Sequence, residues 1–480
     1  MLTSPGPHSL PAVAAGAPVD VSTPQYERTS LRRSIVHIGV GGFHRAHLAT
    51  YVHELCEAGV RDWAIVGVGV LDSDRPMADV LESQHGLYTL ISRGADDVEV
   101  SVMGSIVDFV MSAGDPAPLA ALVSSADTEI LSLTITEGGY PVDDRTGAFS
   151  EDRCPPGSTF DLIAHALDAR RRSDAGSLTV LSCDNILGNG MVTRTATLGA
   201  AARVGGATLV DWISANVSFP NSMVDRITPV TDANDIAWLA SEYDVADQWP
   251  VVAEPFRQWV VEDDFAGRRL PLEDMDVIVT DAIEPYELTK LRLLNAGHSC
   301  LTYLAALDGH VAVDAAMADE RLGHFVETLL HLEAKPTLPP AAGIDLDDYI
   351  ASLVERFSNP GVGDQIARLC IDGSSKFPKF LLPTIEAQLE AGGPIELAAL
   401  ALAGWCEYLV EVGTDAAYDP LLDTALRHAA ASVEQPVAFL DFDEVFGTRI
   451  AHDHRFRTAF AAALQALREQ GVQSALSDAL

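Results

Sequence analysis

A chain of 480 residues, 48% of them apolar, is longer than one compact core organises, so two globular domains are expected. Its 69 acidic and 31 basic residues leave a net charge of −38, which repels phosphate backbones and anionic bilayers and speaks against nucleic acid or a membrane surface as partner. The six cysteines, at 56, 154, 183, 300, 370 and 406, are far apart and form no C-x-x-C pair; this argues against a zinc cage or a disulfide framework and fits a reducing cytoplasm.

The first 27 residues hold no Lys or Arg and are broken by Pro5, Pro7, Pro11, Pro18 and Pro24. Residues 1–29 therefore read as an irregular tail and not as a secretory signal. From residue 30 the pattern changes. Ser34 to Gly39 is a β-branched run ending in glycine, Arg45 to Ala58 has helical spacing, and Trp63 to Val70 is a second strand. Further strand-like runs lie at Val98 to Val107, Glu129 to Thr136 and Leu178 to Cys183, with Met275 to Thr280 as the last. Strands alternating with helical stretches predict an α/β fold, a Rossmann-type doubly wound parallel sheet over residues 30–282.

From Pro285 onward the periodicity is helical almost throughout: 288–307, 314–332, 346–357, 366–370, 380–391, 395–412, 420–431 and 455–470. This predicts a mainly α-helical C-terminal domain over residues 283–480. The most apolar stretch, Ala398 to Val412, is interrupted by Gly404 and Glu407 and reads as a buried helix, not a membrane span.

Between the first strand and first helix stands Gly39-Val40-Gly41-Gly42-Phe43-His44-Arg45. Glycines there let backbone N–H groups approach a pyrophosphate at a helix N-terminus. His44 occupies the place of the usual third glycine, so an ordinary tight turn remains an alternative. Asp72 and Asp74, after the second strand, are candidates for the acidic residue that binds the adenosine ribose and favours NAD over NADP, or for caps on the next helix. Gly67 and Gly69, inside the strand itself, suggest close packing.

The chain has only four lysines, at 290, 335, 376 and 379. Where arginine serves every other need for positive charge, a retained lysine suggests an amine that must lose its proton, although coding bias explains a small number equally well. Lys290 lies in Glu287-Leu-Thr-Lys290-Leu-Arg-Leu-Leu-Asn295-Ala-Gly-His298. On an α-helix Lys290, Glu287, His298 and Asn295 fall within an arc of roughly 140°, a polar face that is either a site or simply solvated. Alcohol oxidation needs a base, donors for the reacting oxygen and a hydride acceptor. Lysine serves as base only if burial and a nearby positive charge bring its pKa from about 10.4 to roughly 8, as a water-poor cleft between domains would. Asp184-Asn185-Ile186, after a sheet strand, offers a further amide in Asn185, or an Asx-type turn.

Seven segments together, IVHIGVGGFHRAH, SLTITEGGY, SCDNILGNG, NSMVDRITP, EPYELTKLRLLNAGHS, RFSNPGVGDQIARL and GSSKFPKFLLPTI, resemble the long-chain polyol-specific dehydrogenase family and span residues 35 to 385. The family's lysine, asparagine and histidine pattern is met by Lys290, Asn295 and His298. The resemblance implies a metal-free, NAD-dependent polyol oxidation, D-mannitol to D-fructose and the reverse. It assigns Lys290 as general base and Asn185 and Asn295 as the clamp on the reacting oxygen. His298 would bind substrate hydroxyls, Asp225, Arg368 and Lys376 would contact or line the polyol site, and Glu287 would relay the proton. Fructuronate reduction and arabinitol or sorbitol oxidation stay open within the family. A non-catalytic NAD-binding module and a zinc alcohol dehydrogenase are the rivals outside it; the latter lacks its Cys and His ligand spacing. A monomer is compatible with the sequence.

Overall fold

The structure, a computed structural model, describes residues 8–16, 19–143 and 146–480. The chain divides into two compact units, Met1–Glu284 and Pro285–Leu480.

The first unit is built on a parallel six-stranded sheet: β1 (Arg33–Ile38), β2 (Ala64–Gly69), β3 (Ile106–Met111), β4 (Ile130–Leu133), β5 (Leu178–Ser182) and β6 (Val217–Ser218). Their spatial order, β3-β2-β1-β4-β5-β6, reverses direction between β1 and β4. Ligands of such sheets bind where the carboxyl ends of the strands meet this reversal. Both faces are covered, which is why the strand sequences are apolar almost without interruption. Ile35, Ile65, Ile130 and Leu181 face one core. Val36, Ile38, Val68, Leu131, Leu133 and Val180 face the other. The glycines inside β2 admit neighbours: a Cβ on Gly67 would lie 2.6 Å from the Phe109 ring and 2.8 Å from Val40.

Three expectations for this unit need correction. The run 98–107 is not one strand; it bends at Gly104 and Ser105 into Val98–Met103, which pairs antiparallel with Tyr88–Arg93 in a small separate sheet, and β3. Of 275–280 only Ile278–Thr280 is strand, and it joins Gln258–Glu262 and Ser222–Asp225, outside the main sheet. Part of the supposedly irregular tail is ordered: His8–Ser9 pairs with Val245–Ala246, and the helix Leu10–Ala14 buries Leu10 and Val13 against Leu87, Ile91, Val100 and Val252. Pro11 at the helix start explains it, because a proline in the first turn costs no hydrogen bond.

The second unit is helical. Its central helix, Glu396–Val412, is buried along most of its length, with Trp405 and Cys406 inside. Glu396–Asp415 is long and apolar enough to cross a membrane, but 61% of that window is buried in the unit, as befits a core helix. Close approach is enabled at Gly404, where a Cβ would meet Leu304 at 2.7 Å. Three helices, Gly373–Phe380 (all but its last residue), Asp443–His452 and Val472–Ala479, lie outside the stretches that periodicity marks as helical. All six cysteines are free thiols, and each is buried.

Candidate active site

In the first unit the glycine turn, the two aspartates Asp72 and Asp74, and Asn185 follow the carboxyl ends of β1, β2 and β5. Gly39 has φ 92° and packs on the end of β4 so tightly that a Cβ would run into the carbonyl oxygen of Thr134. From the other side Thr134 Oγ1 donates to the Gly39 carbonyl at 2.6 Å. Above Gly41 there is open space; the nearest atom to an added Cβ is the Gly39 carbonyl oxygen at 3.9 Å. The short helix Gly42–Ala46 begins there, and the N–H groups of a first helical turn lack intrahelical partners. A turn of this kind, open above its glycines and offering N–H donors, has the form needed to receive a dinucleotide pyrophosphate.

His44 and Arg45 differ from the expectation in one respect. Their side chains are 0% and 1% exposed and point into the protein, leaving only their backbones for an anion. His44 stacks on His37, with ring centroids 3.4 Å apart. Arg45 donates Nε to the Gly41 carbonyl at 3.3 Å and a guanidinium N–H to the Trp249 carbonyl, and it lies over the Tyr88 ring. These side chains buttress the turn from below.

The structure separates the two aspartates after β2. Asp74 Oδ2 accepts from the N–H groups of Val70 and Leu71, both at 2.9 Å, and so closes the helix start. Asp72 has a side chain 95% exposed, with Arg75 4.0 Å away. Of the two, it is Asp72 whose carboxylate faces solvent.

Asn185 is exposed, three residues beyond the end of β5. The preceding Asp184 is buried, and its carboxylate accepts from Ile135 N, Thr136 N and Tyr140 Oη. Asp225 is 4% exposed and lies away from the main sheet, opposite Gln258 in the three-stranded one.

In the second unit the largest departure from expectation concerns the lysine helix. It is α-helical over Glu284–Thr289 and Ala296–Leu307, but Lys290–Asn295 forms a π-helical turn. The hydrogen bonds there run from i to i+5, which aligns Lys290 with Asn295 far better than the α-helical wheel allows. Lys290 is 5% exposed and Glu287 6%. Asn295 is half-buried, and its carbonyl accepts from Ser299 Oγ at 2.9 Å.

His298, 8% exposed, stacks on Phe357 with centroids 3.9 Å apart. Its Nε2 is buried with no partner, a polar atom in need of one. Burial pushes the His298 pKa down to about 3; Asp364 opposes this, and Arg368, Arg356 and Lys376 reinforce it. The ring is therefore neutral at physiological pH. Arg368 is committed to Asp364 by two hydrogen bonds, 2.7 Å from Nε and 2.5 Å from a terminal nitrogen. Lys376 Nζ donates to the Leu369 carbonyl at 3.0 Å, and burial, with help from Arg368, lowers its pKa. The unit thus brings Lys290 and Asn295 together on one turn, and His298, Arg368 and Lys376 within one another's electrostatic reach. Sequence reasoning missed Phe357 and Asp364. Both stand in RFSNPGVGDQIARL, the segment of Arg368, but nothing in their residue types announces a supporting role.

Family models match both parts of the chain: the mannitol dehydrogenase Rossmann domain over residues 33–274 and the mannitol dehydrogenase C-terminal domain over residues 282–468. This chain belongs to the mannitol dehydrogenase family. Among relatives of this family, a mannitol 2-dehydrogenase of Pyrenophora tritici-repentis is 39% identical, with 94% of this chain and 82% of the relative covered. One of Emericella nidulans is 38% identical over 97% of this chain and 96% of its own length. Among solved structures, Pseudomonas fluorescens mannitol 2-dehydrogenase in ternary complex with NAD and D-mannitol is 42% identical, with a TM-score of 0.87 and coverage of 96% of this chain and 97% of that one. A D-sorbitol dehydrogenase in substrate-free form is 33% identical, also with a TM-score of 0.87, covering 97% and 99%.

Proposed function

We propose that this chain is an NAD-dependent mannitol 2-dehydrogenase that interconverts D-mannitol and D-fructose, with Lys290 as general base. The observation that carries the reading is the π-helical turn, which aligns a buried amine with an amide donor five residues on. Support comes from the open glycine turn and exposed Asp72, and from relatives and a solved structure named for this reaction.

NAD, when bound, supplies the hydride acceptor. Lys290, in its neutral form, takes the proton of the C2 hydroxyl as the C2–H bond gives up its hydride to the coenzyme, and the C2–O bond becomes the ketone of fructose. The Asn295 amide donates to the oxygen as its negative charge rises, and Asn185 supplies a second donor. His298, a neutral imidazole with an unsatisfied nitrogen, takes a substrate hydroxyl. Asp225, Arg368 and Lys376 line the polyol site, and Glu287, three residues before the base, carries its proton away. The turn 39–45 receives the pyrophosphate on backbone N–H groups, and Asp72 takes the ribose hydroxyls and turns away a 2′-phosphate. Six free, buried thiols suit a reducing cytoplasm.

Arg368 is already neutralised by Asp364, which suits a neutral polyol better than a uronate. Sorbitol is the second reading, favoured by the equal structural likeness to a D-sorbitol dehydrogenase. The test is a steady-state screen of NAD reduction with mannitol, sorbitol and arabinitol, and of NADH oxidation with fructose and fructuronate. Mannitol and fructose should give the highest kcat/KM; a preference for another pair overturns the substrate assignment, and no turnover with any overturns the activity.

A further inference from the structure

Thr136, just beyond β4, has φ 63° and ψ 163°, a conformation L residues seldom adopt and a β-branched one least of all. It lies in the segment SLTITEGGY, to which the reaction above assigns no task. The segment is exposed at residues 136–138, so no core forces the strain upon it. Gly139 N donates to the Thr136 carbonyl at 3.0 Å, and one side chain receives the N–H groups on the other side of the turn. Asp184 Oδ1 accepts from Thr136 N at 2.9 Å, and Oδ2 accepts from Ile135 N at 3.0 Å and Tyr140 Oη at 2.7 Å.

Asp184 is held in its turn. Tyr140 Oη also meets Ser182 Oγ at 2.7 Å, and the Asp184 carbonyl accepts from Asn189 Nδ2 at 3.1 Å and Ile186 N at 2.9 Å. Two residues before Thr136, Thr134 Oγ1 bonds the Gly39 carbonyl of the glycine turn. The ends of β1, β4 and β5 are thereby joined in a chain of hydrogen bonds, and Asp184 is its central link. A buried carboxylate without a paired cation is costly and persists where several donors converge on it. The two backbone N–H groups go to different carboxylate oxygens, and in asparagine one of those oxygens is an NH2 that would meet a donor with a donor.

We propose that Asp184 is a positioning residue for the reaction: it locks the strained Thr136 turn beside the glycine turn and fixes the backbone from which Asn185 presents its amide. This rests on the reading that Asn185 meets the reacting oxygen. A misplacement of about 1 Å in such a group costs on the order of a hundredfold in rate.

The test compares Asp184→Asn, Thr136→Gly and the double variant with the wild-type chain. D184N should lower kcat about a hundredfold and weaken NADH binding, followed by fluorescence titration, several-fold, with the circular dichroism spectrum retained. Glycine takes φ 63° without strain, so T136G in the D184N background should recover about tenfold in kcat. A purely structural role moves the melting temperature and leaves kcat alone. Wild-type kcat in D184N, or a double variant as slow as D184N, overturns the proposal. If D184N does not fold, Tyr140→Phe removes one of the three donors and should cost several-fold in kcat; no change there overturns it too. Should the wild-type chain turn over no polyol, the proposed function fails and not the lock. Amide hydrogen exchange at Ile135 and Thr136 then decides, expected to quicken about tenfold in the folded variant, with unchanged exchange overturning the lock.

Discussion

Lys290 and Asn295 are the first and last residues of one π-helical turn. On a regular α-helix, residues five apart stand roughly 140° apart around the axis, too far to serve one oxygen and its proton. The wider turn narrows that angle. Lys290→Ala should lower the chemical step by about 10² to 10⁴. Asn295→Ala should lower kcat by about 10² to 10³ through the lost oxyanion donor. Both should bind NADH like the wild type. Stopped-flow single turnovers with mannitol check this, and full turnover in either variant refutes its role.

Phe357 carries the His298 ring on its face. An aromatic pair of this kind contributes about 0.5–1.5 kcal/mol beyond area burial, which corresponds to roughly a two- to tenfold rise in KM for the polyol in Phe357→Leu. kcat should change little, because the base and its amide are untouched. With its pKa near 3, His298 contributes no inflection to the kcat/KM profile between about pH 5 and 9, and steady-state profiles of wild type and F357L should agree in shape.

Asp72 stands in solvent, whereas Asp74 is consumed by the backbone of Val70 and Leu71. Asp72→Ser should raise the ratio of kcat/KM for NADP over NAD by about tenfold or more, since a carboxylate repels a 2′-phosphate. Asp74→Ser should instead cost stability, about 1 kcal/mol for the weakened helix start. If coenzyme preference responds to Asp74 and not to Asp72, the assignment is reversed.

Glu333 lies in a second π-helical turn, Leu330–Ala334, and its carboxylate caps the central helix by accepting from Leu397 N and Ala398 N, both at 2.8 Å. Burial pushes its pKa up to about 7 despite those bonds. A carboxyl whose pKa is higher folded than unfolded stabilises the fold fully below about pH 4.5, and that contribution is lost as pH rises through about 7. The difference amounts to roughly 3 kcal/mol. Urea melts of the wild-type chain should therefore lose more stability between pH 5 and 8 than those of Glu333→Gln; parallel losses contradict the shifted titration.

Gly39→Ala asks for a methyl group where the Thr134 carbonyl already stands, at φ 92°. The strain, at least about 2 kcal/mol, should appear as a lower melting temperature and as NADH affinity weakened about tenfold. A variant that binds NADH normally would show that the turn has more room than the geometry indicates.

Much of this architecture is legible from residues alone, because the cues are periodic. Apolar runs covered on both faces mark β1, β2, β4 and β5, and the helix 346–357 is found at its observed bounds. The π-turn escapes notice since adding one residue to a turn barely disturbs the spacing of Leu291, Leu293 and Leu294. The strand pairs Tyr88–Arg93 with Val98–Met103, and Ser222–Asp225 with Gln258–Glu262, depend on partners far along the chain or on a bend that periodicity does not register. Site residues with a distinctive type, Lys290 among four lysines above all, stand out. Supporting ones, Asp184, Phe357 and Asp364, gain their meaning only from what they touch.

The stacked imidazoles of His37 and His44 have one more implication. Burial brings His37 to about 3 and His44 well below its ordinary range, so neither ring gains a proton in ordinary buffers. The floor of the glycine turn is thus deaf to acidity. Where coenzyme affinity proves to vary with pH, the responsible group lies elsewhere than in these two rings.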